Sequence, residues 1–264
     1  MNPVLVEDLH YAFGDHVAVD GVDLALAPGE VFGLLGPNGA GKTTTLRVIT
    51  TLLPAPPGTV RVEGLDVVRS RRRVRRLLGY VPQQLSADGS LTGRENVALF
   101  ARLFDVPRRE RAEAVDSVLD AMGLAESADR TASTYSGGMV RRLELAQALV
   151  SAPRVLVLDE PTVGLDPVAR SGVWDRIHEV RRANGMTVLV TTHAMEEAEL
   201  HCDRVALMHR GRLRAEGTPA ELTAAIGGEA TLEDVFRHHT GDTLEPSGGM
   251  RDVRAARRTA RRVG

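Results

Sequence analysis

The sequence predicts an α/β fold, and three observations carry that prediction. The apolar run Val31-Phe32-Gly33-Leu34-Leu35 leads into the loop Gly36-Pro37-Asn38-Gly39-Ala40-Gly41-Lys42-Thr43-Thr44 and then into Thr45-Leu46-Arg47-Val48-Ile49. These are the strand, glycine loop and helix start of a P-loop. Val155-Leu156-Val157-Leu158 and Thr187-Val188-Leu189-Val190 are further continuous apolar runs, the pattern of strands buried on both faces. Residues 92–150 change to helical periodicity, which adds a helical region to the sheet.

Residues 3–35 read as strands broken by turns: Val4-Leu5-Val6, then Val22-Asp23-Leu24-Ala25-Leu26 in strict alternation, then a Pro28-Gly29 turn. Tyr11 and Phe13, two apart, share one side of a strand. An aromatic there either stacks on an adenine ring or joins a small core cluster, and spacing alone leaves both open. In a P-loop the backbone N–H groups converge on the β-phosphate, and the helix N-terminus adds its dipole. Glycine is needed because a Cβ would block the φ > 0 turns and hold the backbone off the phosphates. Lys42 then reaches the β/γ-phosphates and the Thr43 hydroxyl ligates Mg²⁺. Lys42 is the only lysine among 33 basic side chains. Its meeting Gly at −1 and −6 and Ser or Thr at +1 by accident has a chance of about one in a thousand.

After the P-loop helix, Pro54-Ala55-Pro56-Pro57-Gly58 makes a rigid turn before the short strand Thr59-Val60-Arg61-Val62. The run Arg69-Ser70-Arg71-Arg72-Arg73-Val74-Arg75-Arg76 reads as a solvated helix face, since no aromatics interleave it for nucleic acid. Leu77-Leu78-Gly79-Tyr80-Val81 is another buried strand, ending in Pro82-Gln83-Gln84, which puts an amide where open α/β sheets bind ligands. Val115, Val118, Leu119 and Met122, and later Leu143, Ala146 and Leu149, recur at helix spacing and read as core. Between them Tyr135-Ser136-Gly137-Gly138-Met139 interrupts the pattern before a helix. A Ser N-cap followed by two glycines leaves amides free for an anion, and a plain cap does not need both glycines.

The strand at 155–158 ends in Asp159-Glu160-Pro161. Adjacent carboxylates leaving a strand point to opposite sides, so Asp159 is expected in a Mg²⁺ shell and Glu160 facing the water that attacks the γ-phosphate. Gly164-Leu165-Asp166-Pro167 is a tight turn opening the helix of Trp174. The strand at 187–190 delivers Thr191-Thr192-His193, where His193 either donates to a γ-phosphate or is a satisfied loop histidine, the commoner case for such a residue taken singly. Of the eight histidines it alone is expected at a strand's C-terminal end in register with the other site groups. Val205-Ala206-Leu207-Met208 and Leu213-Arg214-Ala215 form a closing hairpin turning at Arg210-Gly211. From about residue 240 the chain becomes basic, with Arg254, Arg257, Arg258, Arg261 and Arg262 on one helical stripe, and disorder is the default there.

Composition excludes several functions. A net charge of −2 and a pI of about 6.5 supply no global field toward nucleic acid or an anionic surface. One cysteine, Cys202, excludes a disulfide framework and a clustered thiolate metal site. Met1-Asn2-Pro3-Val4-Leu5-Val6-Glu7-Asp8 has neither a basic start nor a long apolar core, so no secretory signal is expected. No apolar stretch approaches bilayer-spanning length, so any action at a membrane runs through a partner.

The ordered set Phe13, residues 36–44, Gln83, Tyr135 to Met139, residues 155–160, residues 164–166 and His193 resembles the nucleotide-binding domain of ATP-binding cassette (ABC) transporters over roughly residues 3–220. Tyr135-Ser136-Gly137-Gly138-Met139 with Arg141-Arg142-Leu143, and the later Thr231-Leu232-Glu233-Asp234-Val235-Phe236, look like the daunorubicin/doxorubicin-resistance, ABC-2-type exporter ATPases. Met139 stands where many members have Gln, and Val163 where Ser or Ala is common. The resemblance implies a P-loop NTPase (RecA-like) core with an antiparallel β subdomain and a helical signature subdomain. It implies an ATPase domain over 3–239, its helical part at about 84–150, and a tail at 240–264. It assigns Phe13 to adenine stacking, residues 36–44 to the phosphates, and Gln83 to the Q-loop with Thr43 and Asp159 around Mg²⁺. Ser136, Gly137 and Gly138 match the signature that closes on the partner's ATP. Asp166 matches the D-loop aspartate at the dimer interface, Glu160 the general base and His193 the switch histidine. ATP and Mg²⁺ are the implied cofactors. The implied partners are a second copy, forming a nucleotide sandwich, and an integral-membrane permease on whose cytoplasmic side the protein sits, with no nucleic acid.

Rival classes fit less well. A GTPase reading needs a guanine-reading Asn-Lys-x-Asp motif, and Lys42 is already committed. A small-molecule kinase leaves residues 136–139 and His193 unexplained. The alternative is a soluble, non-transporter ABC ATPase associated with nucleic acid or ribosomes. The interval between P-loop and signature is short and broken by proline and glycine rather than a long coiled coil, and the chain has one P-loop rather than two.

Overall fold

The computed structural model describes residues 1–227 and 230–241. The basic stretch beyond about residue 240 therefore lies, from residue 242 onward, outside the described residues. Two sheets organise the chain. The first is antiparallel, in the order β2-β1-β4-β5, from β1 (Val4–Phe13), β2 (His16–Leu26), β4 (Val60–Val62) and β5 (Leu65–Asp66). The second has the order β10-β9-β3-β8-β7-β6, from β3 (Val31–Leu35), β6 (Leu78–Val81), β7 (Val155–Asp159), β8 (Thr187–Thr192), β9 (Arg204–His209) and β10 (Arg212–Gly217). All its neighbours run parallel except β10, an antiparallel edge.

The apolar runs are continuous because β3, β7 and β8 are covered on both sides. In β3, Phe32 and Leu34 pack into one core with the antiparallel sheet and α1 (Lys42–Ile49). Val31 and Leu35 face a second core. That second core collects α3 (Gly93–Leu103), α4 (Arg111–Ala121), α5 (Gly137–Leu149), α6 (Pro167–Asn184), α7 (Met195–His201) and α9 (Leu232–Thr240). Val115, Leu119 and Met122 are buried there as their spacing predicts, and Leu143, Ala146 and Leu149 likewise. α2 (Arg71–Leu77) buries only Val74 and turns its arginines outward, and α8 (Pro219–Ile226) packs against β10.

The parallel strands point their C-terminal ends to one edge, where the loops after β3, β6, β7 and β8 meet. One expectation is corrected there. His193 is not the only histidine ending a strand, because β9 runs parallel to β3 and ends in His209. His209 is buried and meets the Phe236 ring edge-on at 5.8 Å, so it belongs to the core. The hairpin pattern conceals this, since pairing with β10 says nothing about the direction of β9 relative to β3.

The hairpin also braces the P-loop. Arg210 (φ 49°) and Gly211 (φ 78°) are both left-handed, the combination that a tight two-residue hairpin turn demands. The Gly211 N–H donates to Ala40 O at 2.9 Å, and Gly211 O accepts from Asp20 N–H at 2.8 Å. The turn thus joins the loop to β2. Cys202 is buried, and that burial, with Glu197 and Asp203 nearby, pushes its thiol far above the ordinary range. We expect no reaction with an aromatic disulfide reagent until the chain is unfolded; rapid labelling of native protein would contradict this burial.

Candidate active site

Strand β3 delivers residues 36–44 to the N-terminus of α1. Gly36 (φ 153°), Gly39 (φ 79°) and Gly41 (φ 109°) adopt backbone angles that favour glycine. Space enforces two of them: a Cβ on Gly36 would lie 2.1 Å from Met208 O, and one on Gly41 2.4 Å from Ala18 O. A Cβ on Gly39 would meet no non-neighbouring atom within 4 Å, and the loop tip borders the adjoining cavity. That cavity, about 400 Å³, is lined by Phe13, His16, Ala18, Asn38, Gly39, Ala40, Gly41, Lys42, Thr43, Thr44, Gln83 and Glu160. Phe13 is half-exposed at its rim, whereas Tyr11, its edge-on neighbour at 5.0 Å, packs toward the core. Of the two aromatics, only Phe13 lines the cavity.

The charges are closely engaged. Lys42, 5% exposed, donates from Nζ to Gly36 O at 2.7 Å and Pro37 O at 3.1 Å, and lies 3.5 Å from Glu160 Oε1. Burial drives its ammonium below the ordinary lysine range, although Glu160 and Asp159 pull it back. Asp159 Oδ1 accepts from the Thr43 hydroxyl at 3.0 Å and the Thr191 hydroxyl at 2.7 Å. Glu160 meets different partners, as two successive carboxylates should, but strand alternation is not the reason. Its φ of 49° is left-handed, so the chain twists off β7 there, held by Glu160 N–H donating to Thr191 O at 3.1 Å. Glu160 Oε2 accepts from Gln83 Nε2 at 3.2 Å and lies 3.2 Å from His193 Nδ1, which has no aligned hydrogen bond. Burial raises the Glu160 carboxyl, His193 and Lys42 outweigh it, and the net position is below the usual carboxylate range. Gln83 thus contacts Glu160 rather than the Thr43–Asp159 pair with which the resemblance groups it.

The second half of the predicted set lies elsewhere. Ser136 caps α5, its hydroxyl accepting from Met139 N–H at 3.3 Å, and Asp166 caps α6, accepting from Ala169 N–H at 2.9 Å. Ser136, Gly138 and Asp166 line a cavity of about 620 Å³ between α5 and α6 that shares no lining residue with the P-loop cavity. Gly137 lies alongside, its Cβ position 3.5 Å from Leu165. Gly138 has a packing reason invisible in the sequence: a Cβ there would sit 3.0 Å from the Ala169 Cβ, so the glycine lets α5 and α6 approach. Sequence reasoning also gave no role to Thr191, which binds both neighbours of the β7 turn. The signal was a polar side chain in a buried strand, in register with Asp159.

A strand, glycine loop and helix carrying one lysine, with a hydroxyl–carboxylate pair on one side and a second carboxylate on the other, define a P-loop nucleoside triphosphatase. The ABC transporter family model matches residues 19–163. A daunorubicin resistance ATP-binding protein of Streptomyces coeruleorubidus is 45% identical over 226 residues, 86% of this chain and 71% of that protein. A Nod factor export ATP-binding protein of Paraburkholderia xenovorans is 46% identical over 222 residues, 84% of this chain and 73% of that protein. A solved structure of an ATP-binding subunit of an ABC transporter superposes with a TM-score of 0.79 at 26% identity, covering 90% of this chain and 99% of that one. The chain belongs to the ABC transporter family as one of its ATP-binding, ATP-hydrolysing subunits.

Proposed function

We propose that this chain energises export of a drug-like or lipid-like compound through a separate membrane permease. The observation that carries the reading is the junction at Glu160, where the P-loop, the turn after β6, the end of β7 and the end of β8 converge on one carboxylate. Supporting the direction and cargo class are relatives named for daunorubicin resistance and Nod factor export. Among the described residues no helix is long and apolar enough to cross a membrane. Membership of a transporter family supports a separate permease that supplies the path, with this subunit on its cytoplasmic side. No part of the reading calls for nucleic acid.

Phosphoryl transfer asks the protein chiefly for charge neutralisation and placement of water. Lys42 exchanges its own loop carbonyls for phosphate oxygens, and Phe13 offers its face to the base. Glu160 takes the proton of the attacking water, and His193 donates toward the γ-phosphate. Thr43 and Asp159 suit Mg²⁺, because their hydroxyl and carboxylate oxygens are hard donors already in contact. The ion bound there would neutralise β- and γ-phosphate charge. Ser136, Gly137, Gly138 and Asp166, set apart from the P-loop cavity of their own chain, would reach the nucleotide of a second copy in a head-to-tail sandwich. The ATPase unit would span 3–239, with 84–150 as a helical arm that moves with Gln83 beneath the permease.

The test is co-purification with its membrane partner and ATP-driven transport in vesicles. Lys42→Ala should weaken ATP binding by roughly 10- to 100-fold, the worth of one charge-assisted hydrogen bond, and stop transport. Unchanged ATP affinity in that variant, or recovery of the protein without any membrane partner, would overturn the reading.

A further inference from the structure

We propose that Glu197 and Trp174 are positioning residues for His193, holding it against Glu160 through a buried hydrogen-bond bracket. The proposal rests on the reading above that His193 serves turnover. His193 Nδ1 lies 3.2 Å from Glu160 Oε2 without an aligned hydrogen bond of its own. The backbone at 192–194 must therefore place the ring, and that backbone is tied down from both sides. Glu197, 5% exposed, accepts at Oε1 from the indole N–H of Trp174 at 2.6 Å and at Oε2 from the Thr192 hydroxyl at 3.2 Å. The Thr192 oxygen in turn accepts from Ala194 N–H at 3.0 Å. One carboxylate thus fixes the residues immediately before and after His193.

The chemistry is unusual enough to need a reason. Trp174 is fully buried, Thr192 is 4% exposed, and both groups donating to the Glu197 carboxylate are uncharged. A buried carboxylate costs free energy unless its oxygens are hydrogen-bonded, and an apolar side chain could fill the same space between α6 and α7 without that cost. What an apolar residue could not do is accept from Trp174 and Thr192 together. The bracket also joins the end of β8 to α6, the helix that Asp166 caps, so His193 is referenced to the element bearing the second cavity.

Positioning and mere packing make different predictions. Steady-state ATPase rates and thermal unfolding should be measured on the full chain for Glu197→Leu, Glu197→Gln, Trp174→Phe and His193→Ala. Displacing a reacting group slightly costs catalysis far more than binding, so kcat should fall roughly 10- to 100-fold in Glu197→Leu and less in Trp174→Phe, with the KM for ATP essentially unchanged. The double variant His193→Ala/Glu197→Leu should be no slower than His193→Ala alone, because the bracket then has nothing to hold. A lower Tm with unchanged kcat, or additive losses in the double variant, would overturn the proposal. Where Glu197→Leu does not fold, Trp174→Phe supplies the same comparison. Normal turnover in His193→Ala would instead sink the reading of the site; normal turnover in Glu197→Leu beside an impaired His193→Ala would sink the bracket alone.

Discussion

Glu160→Gln will stop turnover while leaving ATP binding and ATP-driven self-association in place. Gln keeps the size and the hydrogen bond to Gln83, but it cannot take a proton from water at neutral pH. Loss of a positioned general base costs about 10²- to 10⁴-fold in rate. Binding survives on this reading because the P-loop residues 36–44, with Lys42, do not depend on the carboxylate for their backbone geometry. Stability should respond as well. The folded Glu160 carboxyl sits below its usual range, so the unfolded chain binds that proton more readily. Its contribution is therefore fully present above the ordinary carboxylate pKa and is lost as pH falls through the folded value. The stability difference between the wild type and Glu160→Gln should hold constant from neutral pH down to the ordinary carboxylate range and shrink on further acidification, read as Tm values that converge only below about pH 4. Full ATPase activity in the variant would refute the base assignment, and a Tm gap still constant below that range would refute the ion-pair account of the carboxyl.

The parts of the site that were legible in the sequence are those whose constraint is local. Gly36, Gly39 and Gly41 favour glycine because of their own φ angles or the atoms beside them, and a strand before them with a helix after them is enough to locate the P-loop. Asp159 at the end of a buried strand was legible for the same reason. The direction of Glu160 was not, because a left-handed residue breaks the alternation from which direction is inferred. Thr191, Glu197 and the packing reason for Gly138 were illegible in another way. Their reasons lie in Asp159, Trp174 and Ala169, residues distant in sequence that only the β7–β8 register and the helix packing bring close. His209 shows the same limit for topology, since a hairpin pattern determines one neighbour of β9 and leaves the other open.

The same non-local logic makes Arg141 a position where substitution should cost a large share of the fold's stability. Arg141 and Glu144 are each 2% exposed and paired at 2.8 Å on one face of α5. Arg141 also donates to Pro82 O at 2.9 Å and Gln83 O at 3.1 Å, while Glu144 accepts from the Ser86 N–H and, at 3.2 Å, its hydroxyl. Removing one member of a buried pair strands the other charge, so Arg141→Ala should cost about 3–5 kcal/mol. Against a total stability of about 5–15 kcal/mol, that is a large share of the fold. Replacing both with apolar residues of similar volume, as in Arg141→Met/Glu144→Leu, avoids the stranded charge. The atoms released at 82–86 lie largely in an exposed turn where water can satisfy them. Denaturant unfolding should therefore rank the double variant well above Arg141→Ala. The double variant should still hydrolyse ATP poorly, because the backbone of Gln83 is then no longer tied to the helix that Ser136 caps. An Arg141→Ala protein within about 1 kcal/mol of wild type would show that the pair contributes little, as exposed pairs do. A double variant that is both stable and fully active would show that α5 and Gln83 do not need this tie.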